Sequence, residues 1–270
     1  MIPEEEKKNM EIGQILEKMT AVVKGCGEII RNAEEDQMHA SSKSSFRDLV
    51  TQYDVLVQEF AIEELAKAFS GAGFISEESD AISPDPARMI FVIDPIDGTA
   101  NFVHCYRHSC TSIACVMDHE PIAAVIYDPY KEELFCAGKG KGAFLNEKRL
   151  RVPDNALTGS LVLFGSAPYY PELTDRTFDA LRSVFSRCQD IRRSGSAALD
   201  LCYVAAGRAG LFYETMLSVW DYAAGALIVR EAGGVCLSME GTEPVFDRPV
   251  KGSIIAGSER IIKESGLIKV

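Results

Sequence analysis

The chain lacks the features that would mark it as a membrane or secreted protein. No apolar run approaches the roughly 18 residues that a bilayer-spanning helix needs, and the N-terminus, Met1-Ile-Pro-Glu-Glu-Glu-Lys-Lys, is too polar for a secretory signal. The eight cysteines include no C-x-x-C pair, and in a chain of this length we expect them to be reduced, buried hydrophobic residues. These absences predict a cytoplasmic protein that does not associate with membranes.

Positive charge is also scarce. The 28 lysines and arginines are outnumbered by 40 aspartates and glutamates, which gives a formal net charge of −12. So acidic a surface disfavours nucleic acid as a partner and repels a phosphorylated small molecule at long range. An anionic substrate would therefore require a metal ion that reverses the sign of the local charge.

Hydrophobic periodicity divides the 270 residues into a helical start, a strand-rich middle and an alternating second half. Helices are predicted over residues 10–31, from about 48–51 to 69, and over 175–188, 196–206 and 222–231; strands are predicted over 89–93, 109–117, 122–127, 133–137, 161–164, 211–213, 235–238 and 253–256. This alternation predicts an α/β protein whose helices are layered on sheets. We place the division into two lobes between residues 1–152 and 153–270.

The stretch Phe91-Val-Ile-Asp-Pro-Ile-Asp-Gly-Thr-Ala-Asn-Phe102 places two carboxylates side by side. Like charges this close lower stability unless a cation lies between them or one is protonated. Asp94 and Asp97 are expected just beyond the end of a buried strand, where open α/β sheets bind ligands. The intervening proline and the following glycine prevent regular hydrogen bonding, so the Ile96 carbonyl can face the same space. The stretch indicates either a hard-cation site that also holds a phosphate or, taken alone, an acidic surface turn.

Two further acidic motifs favour the cation site. Ser76-Glu-Glu-Ser79 lies upstream; Val219-Trp-Asp-Tyr-Ala-Ala-Gly225, which holds the single tryptophan, lies far downstream and is followed by Glu231-Ala-Gly-Gly234. In this order, over about residues 12 to 260, the motifs resemble those of the inositol monophosphatase family of Mg²⁺-dependent, Li⁺-sensitive phosphatases. The resemblance implies the layered α-β-α-β-α sandwich of the inositol monophosphatase and fructose-1,6-bisphosphatase type, and a homodimer that acts on a small phosphate monoester.

The resemblance also implies a set of metal ligands. Glu77, Asp94 and the Ile96 carbonyl match the ligands of one ion, and Asp94, Asp97 and Asp221 match those of a second, with a third and weaker ion near Glu77. Two or three Mg²⁺ ions are implied, with Mn²⁺ as a possible substitute, because the ligands are all oxygens and no His/Cys cluster suits zinc. Two divalent cations would neutralise the four carboxylates, which would explain why these acids are tolerated side by side.

The attacking group implied by the resemblance is a metal-activated water rather than a side chain. Thr99 matches the residue that activates this water together with Asp54, and Glu77 and Asp97 join them as catalytic residues. Taken alone, Asp54 is better explained as a helix-capping acid. Lys43 matches a lysine near the third ion, or is simply a solvated loop residue. The residues matched to the substrate side are Asp97, Gly98, Thr99, Gly195, Ser196, Ala197, Glu214 and Asp221.

The identity of the leaving alcohol stays open at this point. A carboxylate such as Glu214 accepts paired hydroxyls, which favours a polyol phosphate such as inositol 1-phosphate; however, Ser218 stands where the animal enzymes commonly have histidine. The alternatives are a relative that acts on fructose 1,6-bisphosphate, histidinol phosphate or a 3′-phosphoadenosine nucleotide, and a regulatory protein-binding relative with secondary activity. Arg192 and Arg193 are either a contact for a second anionic group or a solvated pair. The apolar residues 109–137 are either part of a dimer interface or core.

Overall fold

The structure is a computed structural model, and it describes residues 4–33, 41–42, 49–78 and 89–268. The helices are α1 (Glu4–Arg31), α2 (Gln52–Ala68), α3 (Thr99–Val103), α4 (Thr174–Phe185), α5 (Ala197–Ala205), α6 (Val219–Glu231) and α7 (Glu259–Ser265). The strands are β1 (Ser41–Ser42), β2 (Leu49–Val50), β3 (Gly73–Ser76), β4 (Ile90–Asp97), β5 (Cys110–Met117), β6 (Glu120–Asp128), β7 (Glu133–Gly138), β8 (Gly142–Leu145), β9 (Lys148–Arg149), β10 (Leu161–Phe164), β11 (Asp190–Arg192), β12 (Leu211–Ser218), β13 (Val235–Leu237) and β14 (Lys251–Gly257). Within the described ranges, no helix combines the length and apolar character that crossing a membrane requires.

The larger sheet is built mainly from hairpins, in the order β3-β4-β5-β6-β7-β8-β9. The β3–β4 pair is parallel and the following pairs are antiparallel. Asp118 and His119 have φ values of 51° and 67°, and Asn146 and Glu147 have values of 44° and 71°. A two-residue connection with two positive φ angles matches the twist of the strands it joins. This explains how β5 turns directly into β6, and β8 into β9.

The smaller sheet has the order β11-β10-β12-β14-β13. Strands β11, β10 and β12 are parallel, whereas β14 runs antiparallel to both β12 and β13. Parallel neighbours need a crossover connection. Here α4 connects β10 to β11 and α5 connects β11 to β12, which explains the alternating pattern of the second half of the sequence.

The helices form three layers that enclose the two sheets. Helices α1 and α2 cover the outer face of the larger sheet, α5 and α6 lie between the sheets, and α4 and α7 cover the outer face of the smaller sheet. Helix α6 is apolar on nearly all sides because both sheets cover it. Gly225 allows α5 to approach α6 closely, since a Cβ there would lie 2.5 Å from a methyl carbon of Leu201. The predicted α-β-α-β-α fold class is confirmed.

Strands β5 and β6 are core on both faces. Along β5, Ile113 packs in the cluster under α1 and α2, and its neighbour Ala114 packs in the central cluster under α5 and α6. Both side chains are fully buried within this one chain. For this part of residues 109–137 the core interpretation therefore holds, and the homodimer stays a prediction.

Several predicted boundaries differ from the structure; β12, for example, extends to Ser218 rather than ending at residue 213. Two of these errors concern acidic motifs. Strand β4 continues through Asp97 rather than ending at Ile93, so the two aspartates lie within the strand and not beyond it. Helix α6 begins at Val219 rather than at residue 222, because the Asp221 carboxylate accepts a hydrogen bond from the Ser218 N–H at 2.6 Å and caps the helix. Strands β1, β2, β3, β8, β9 and β11 were not predicted. The division into lobes at residues 152 and 153 stays a prediction.

Candidate active site

An irregularity in β4 brings the two aspartates of the first motif to one side of the sheet. Residues three apart on a regular strand point to opposite faces. Asp94 and Asp97 are three apart, but their partners on β5 are only two apart, so β4 contains an extra residue. Such a bulge redirects side chains, and the Thr111 hydroxyl stabilises it by donating to the Pro95 carbonyl at 2.9 Å. Both aspartates are buried, at 1% and 8% exposure.

Gly98 forms a tight turn directly after the second aspartate. Its φ of 91° lies in the left-handed region, and a Cβ would lie 3.0 Å from the His108 carbonyl oxygen and 3.1 Å from that of Gly195. The Asn101 amide donates to the carbonyls of His108 at 2.8 Å and Ser194 at 3.0 Å. Glycine is therefore required at position 98, and the asparagine holds the two loops that surround the turn.

Thr99 begins α3 and contacts the carboxylate predicted as its partner. Its hydroxyl lies 3.1 Å from Asp54 Oδ1 and 3.1 Å from the Ile96 carbonyl oxygen, so one proton is shared between two acceptors. Asp54 is fully buried near the start of α2, where its Oδ2 accepts from the Thr51 N–H at 2.7 Å. The carboxylate thus both caps a helix and bonds to Thr99, so the two interpretations of Asp54 are compatible.

The N-terminus of α5 holds the carboxylate of Asp97. The Ser196 hydroxyl donates to it at 2.5 Å, and the N–H groups of Ala198 and Ala197 donate at 2.8 and 3.3 Å. The Cys110 thiol lies 3.8 Å away. Burial raises the pKa of Asp97, and the bonds from Ser196 and the two backbone groups oppose that rise. This carboxylate therefore joins the residues that the resemblance assigns to the alcohol to the acidic corner, which consists of Glu77, Asp94, Asp97 and Asp221.

Glu77 and Asp221 lie close to Asp94 despite their distance in sequence. Burial, followed by the negative charges of Glu77, Asp97 and Asp221, raises the pKa of Asp94 well above its usual value. Burial and the charges of Glu77 and Asp97 raise the pKa of Asp221 in the same way. Asp94 Oδ1 is buried without a hydrogen-bond partner in the described part of the chain. Glu77, Asp94, Asp97 and Asp221 therefore form one acidic cluster.

Glu214 lies on the other side of the same cavity. Burial raises its pKa to about 7, although it accepts a hydrogen bond from the Ala167 N–H at 2.9 Å and lies near Arg193. The backbone of Gly165 passes so close that a Cβ would lie 1.8 Å from Glu214 Oε2. Asp200 is also buried here, and its Oδ1 has no hydrogen-bond partner among the described residues.

One cavity of about 360 Å³ brings these groups together. Of the predicted site residues, it is lined by Glu77, Asp94, Ile96, Asp97, Gly98, Thr99, Gly195, Ser196, Ala197, Glu214 and Asp221. Asp54 lies behind Thr99, and Lys43 lies outside the described residues. The sequence interpretation missed Asp200, whose only signal is its position one helical turn after Ser196. It left Arg193 undecided; the structure places Arg193 at the cavity and pairs Arg192 with Asp190 instead.

The acidic cluster fits divalent cations. The buried oxygen of Asp94 that has no partner among the described residues, and the neighbouring negative charges that raise the pKa values of Asp94 and Asp221, favour the binding of cations here. Oxygen donors of this kind suit Mg²⁺ or Mn²⁺. No three His, Cys, Asp or Glu side chains within those residues are already arranged as a complete ligand set. Metal ligation by Glu77, Asp94, Ile96, Asp97 and Asp221 therefore stays a prediction.

The layered fold, with this cavity at the junction of its two sheets, defines the class of the protein as that of the inositol monophosphatase fold. The chain belongs to the inositol monophosphatase family, whose family model matches residues 12–269. The family membership predicted from the three motifs is confirmed.

Similar proteins carry two kinds of name. The Nus factor SuhB of Xylella fastidiosa is 38% identical over 230 residues, which cover 84% of this chain and 82% of that protein. The inositol-1-monophosphatase of Mesorhizobium japonicum is 40% identical over 215 residues, which cover 79% and 80%. The crystal structure of the extragenic suppressor protein suhB from Bartonella henselae has a TM-score of 0.88 and 37% identity, with 95% of this chain and 98% of that chain covered. The family and the Mesorhizobium name indicate phosphatase activity.

Proposed function

We propose that this protein is a Mg²⁺-dependent phosphomonoesterase that hydrolyses inositol 1-phosphate or a similar polyol phosphate. The observation that carries the proposal is the single cavity in which the acidic cluster, the Gly98 turn and Glu214 lie together. A phosphate ester has a charged end and an alcohol end. The cavity offers a cation-binding group of acids for the first and a hydroxyl-accepting carboxylate for the second.

The residues of the chain have separate tasks in this proposal. The N–H groups of Gly98 and Thr99 bind the phosphate oxygens. Glu77, Asp94, Ile96, Asp97 and Asp221 would hold the divalent cations, which would supply the positive charge that polarises the phosphate and activates the attacking water. The Thr99 hydroxyl orients that water, and Asp54, bonded to Thr99 at 3.1 Å, receives the proton through it.

The alcohol side orients the leaving group. Glu214 accepts hydroxyl hydrogen bonds when it is ionised, and the start of α5 at Gly195, Ser196 and Ala197 lies along the same wall. The α5 N-terminus holds Asp97, so a displacement of that helix would change both sides together.

Phosphate release from inositol 1-phosphate, measured with Mg²⁺ and with EDTA, tests this proposal. Activity is expected only with Mg²⁺ or Mn²⁺, and Li⁺ is expected to inhibit it. A substrate panel of fructose 1,6-bisphosphate, histidinol phosphate and 3′-phosphoadenosine 5′-phosphate, compared by kcat/KM, separates the alternatives. A folded preparation that binds Mg²⁺ and hydrolyses none of these esters would contradict the proposal.

A second candidate follows from the relatives named Nus factor SuhB. On that basis the chain would bind components of a transcription complex, with phosphatase activity secondary. The Asp94→Asn variant separates the two roles, since it removes a predicted metal ligand and leaves the surface unchanged. Binding of purified transcription factors by both wild type and variant would support the regulatory role. A homodimer and a cytoplasmic location stay predictions; light scattering in solution tests the former.

A further inference from the structure

The alcohol side of the candidate site continues into a second cavity of about 310 Å³. The two cavities share Glu77, Glu214 and Asp221, so they are continuous across the acidic cluster. Tyr169 also lines both cavities, and the extension is lined further by Tyr170, Met216, Trp220 and Lys251. The available space therefore extends beyond the first cavity, and its far wall is aromatic and cationic.

Lys251 is fixed relative to the candidate site by the smaller sheet. It pairs with Ser218 across the antiparallel β12–β14 ladder, and the next backbone bond runs from the Val219 N–H to the Val250 carbonyl at 3.0 Å. Residues directly opposite on such a ladder project from the same face. The lysine therefore stands beside the residue that precedes α6, three positions before Asp221.

Tyr170 holds the ammonium group at the cavity. Lys251 Nζ donates to the Tyr170 hydroxyl at 2.5 Å. The tyrosine belongs to a loop that Glu214 anchors through the Ala167 N–H, and its own N–H donates to the Ala167 carbonyl at 3.0 Å. Ala167 has a positive φ of 42°, which marks a backbone held in place by these contacts. The acid on the alcohol side and the lysine are thus joined by one short loop.

Lys251 has unused binding capacity, in contrast to the arginine in the first cavity. Arg193 lies near the buried carboxylates of Glu214 and Asp200. Lys251 has no carboxylate within 4.0 Å in the described ranges, and its hydrogen bond there goes to a neutral phenol. An ammonium group has three donors, so two of them are available to a ligand.

We propose that Lys251 and the adjoining cavity form a subsite for a second anionic group, a phosphate or a carboxylate, on the leaving alcohol. This inference rests on the proposed phosphatase function and specifies its substrate class. A neutral polyol would leave the ammonium group unused, whereas an alcohol that carries an anion gains a charge-assisted hydrogen bond at the far end of the cavity. The reaction itself is ordinary phosphomonoester hydrolysis, in which water adds, inorganic phosphate leaves and the anionic alcohol takes the proton.

Two matched substrate pairs test the subsite. Glucitol 6-phosphate and 6-phosphogluconate differ in a terminal carboxylate, and fructose 1-phosphate and fructose 1,6-bisphosphate differ in a second phosphate. For wild type we expect kcat/KM to favour the charged member of at least one pair. Lys251→Met should lower that charged-to-neutral ratio about fivefold, mainly through KM. Lys251→Arg should restore most of it, and Lys263→Met, on the distant helix α7, should leave it at the wild-type value.

The outcomes separate the inference from the proposed function. A change in the carboxylate pair only, or in the phosphate pair only, identifies which anion is bound. Turnover of inositol 1-phosphate together with equal kcat/KM values within both pairs, or with no hydrolysis of the charged members, would overturn the subsite and leave the phosphatase intact. An unchanged ratio in Lys251→Met would do the same. No turnover of any ester by the Mg²⁺-loaded protein would instead overturn the proposed function.

Discussion

The two sides of the cavity treat their buried acids differently. At the acidic corner, Asp94 has an oxygen without a partner in the described part of the chain, and its pKa is raised by burial and by four neighbouring acids. On the alcohol side, Glu214 has a backbone donor at 2.9 Å and a nearby arginine, and glycine leaves room for it. In the proposed function the first side is completed by added cations, whereas the second is arranged by the chain itself.

The two sides therefore have different structural requirements. The corner needs only carboxylates at fixed positions, because the proposed chemistry is supplied by ions that any such cluster attracts. The alcohol side depends on the loop at Ala167, on the space that Gly165 leaves for Glu214, and on the single charges of Arg193 and Lys251. We therefore expect changes at the corner to remove activity on every substrate, and changes on the alcohol side to alter which substrates are used.

The largest effect is expected for Asp94→Asn. Removing the carboxylate that is predicted to bind both ions should lower kcat/KM at least about a thousandfold on all substrates. The midpoint of thermal unfolding in EDTA should not fall, because the change removes a buried charge whose neighbours repel it. The rise of that midpoint on adding Mg²⁺ should shrink. Calorimetry with and without Mg²⁺ measures both effects.

Asp118→Asn provides the matched control. It makes the same chemical change at an exposed turn, where asparagine tolerates the φ of 51°. Activity and the Mg²⁺-dependent midpoint should both equal those of wild type. An Asp94→Asn variant that retains more than a tenth of wild-type activity would show that the corner does not bind the catalytic ions.

The next largest effect is expected for Gly165→Ala. A new Cβ would lie 1.8 Å from Glu214 Oε2 and 1.9 Å from its Cδ, so the carboxylate must move. A displacement of this size should lower kcat/KM for inositol 1-phosphate about thirtyfold. Hydrolysis of p-nitrophenyl phosphate, which has no hydroxyls for Glu214 to accept, should fall far less. Steady-state kinetics on the two substrates gives the ratio.

Gly159→Ala controls for the loss of glycine itself. Nothing lies within 4 Å of a Cβ at that position, so both substrates should be hydrolysed at wild-type rates. If Gly165→Ala lowered activity equally on both substrates, Glu214 would not be specific to the alcohol side.

The pH dependence of KM gives a smaller effect. Burial raises the pKa of Glu214 to about 7 from its ordinary 4.5. Glu214 is thus ionised, and able to accept hydrogen bonds from substrate hydroxyls, mainly above pH 7. The KM for inositol 1-phosphate should therefore rise about fivefold as the pH falls from about 8 to about 6. The raised pKa also means that the contribution of Glu214 to folding stability falls as the pH rises from about 4.5 through about 7. The rise of KM at low pH is expected for inositol 1-phosphate and not for p-nitrophenyl phosphate. Glu214→Gln should abolish this rise, and a variant that keeps it would contradict the role of Glu214.

The sequence predicted the corner better than the alcohol side, for a physical reason. Paired acids beside proline and glycine are visible as a motif, and their positions follow from one strand and one helix. Even so, periodicity could not show the bulge that turns Asp94 and Asp97 to the same side, because a bulge depends on the partner strand. Asp200 and Lys251 gave no motif at all. Asp200 lies one helical turn after Ser196, and Lys251 lies opposite Ser218. Only the tertiary structure shows that both positions face the cavities.

Asp97 belongs to both sides, and its donors provide the finest test of the comparison. The Ser196 hydroxyl donates at 2.5 Å, whereas the Cys110 thiol lies at 3.8 Å and is a weak donor. Ser196→Ala should lower kcat/KM about threefold, because two backbone N–H groups still hold the carboxylate. It should also destabilise the protein by about 1 kcal/mol through loss of the α5 cap. Cys110→Ala should change kcat/KM less than twofold. Parallel kinetics and urea unfolding rank the two variants, and a larger kinetic loss in Cys110→Ala would mean that the buried thiol, rather than the helix start, positions the acid shared by the metal and the alcohol.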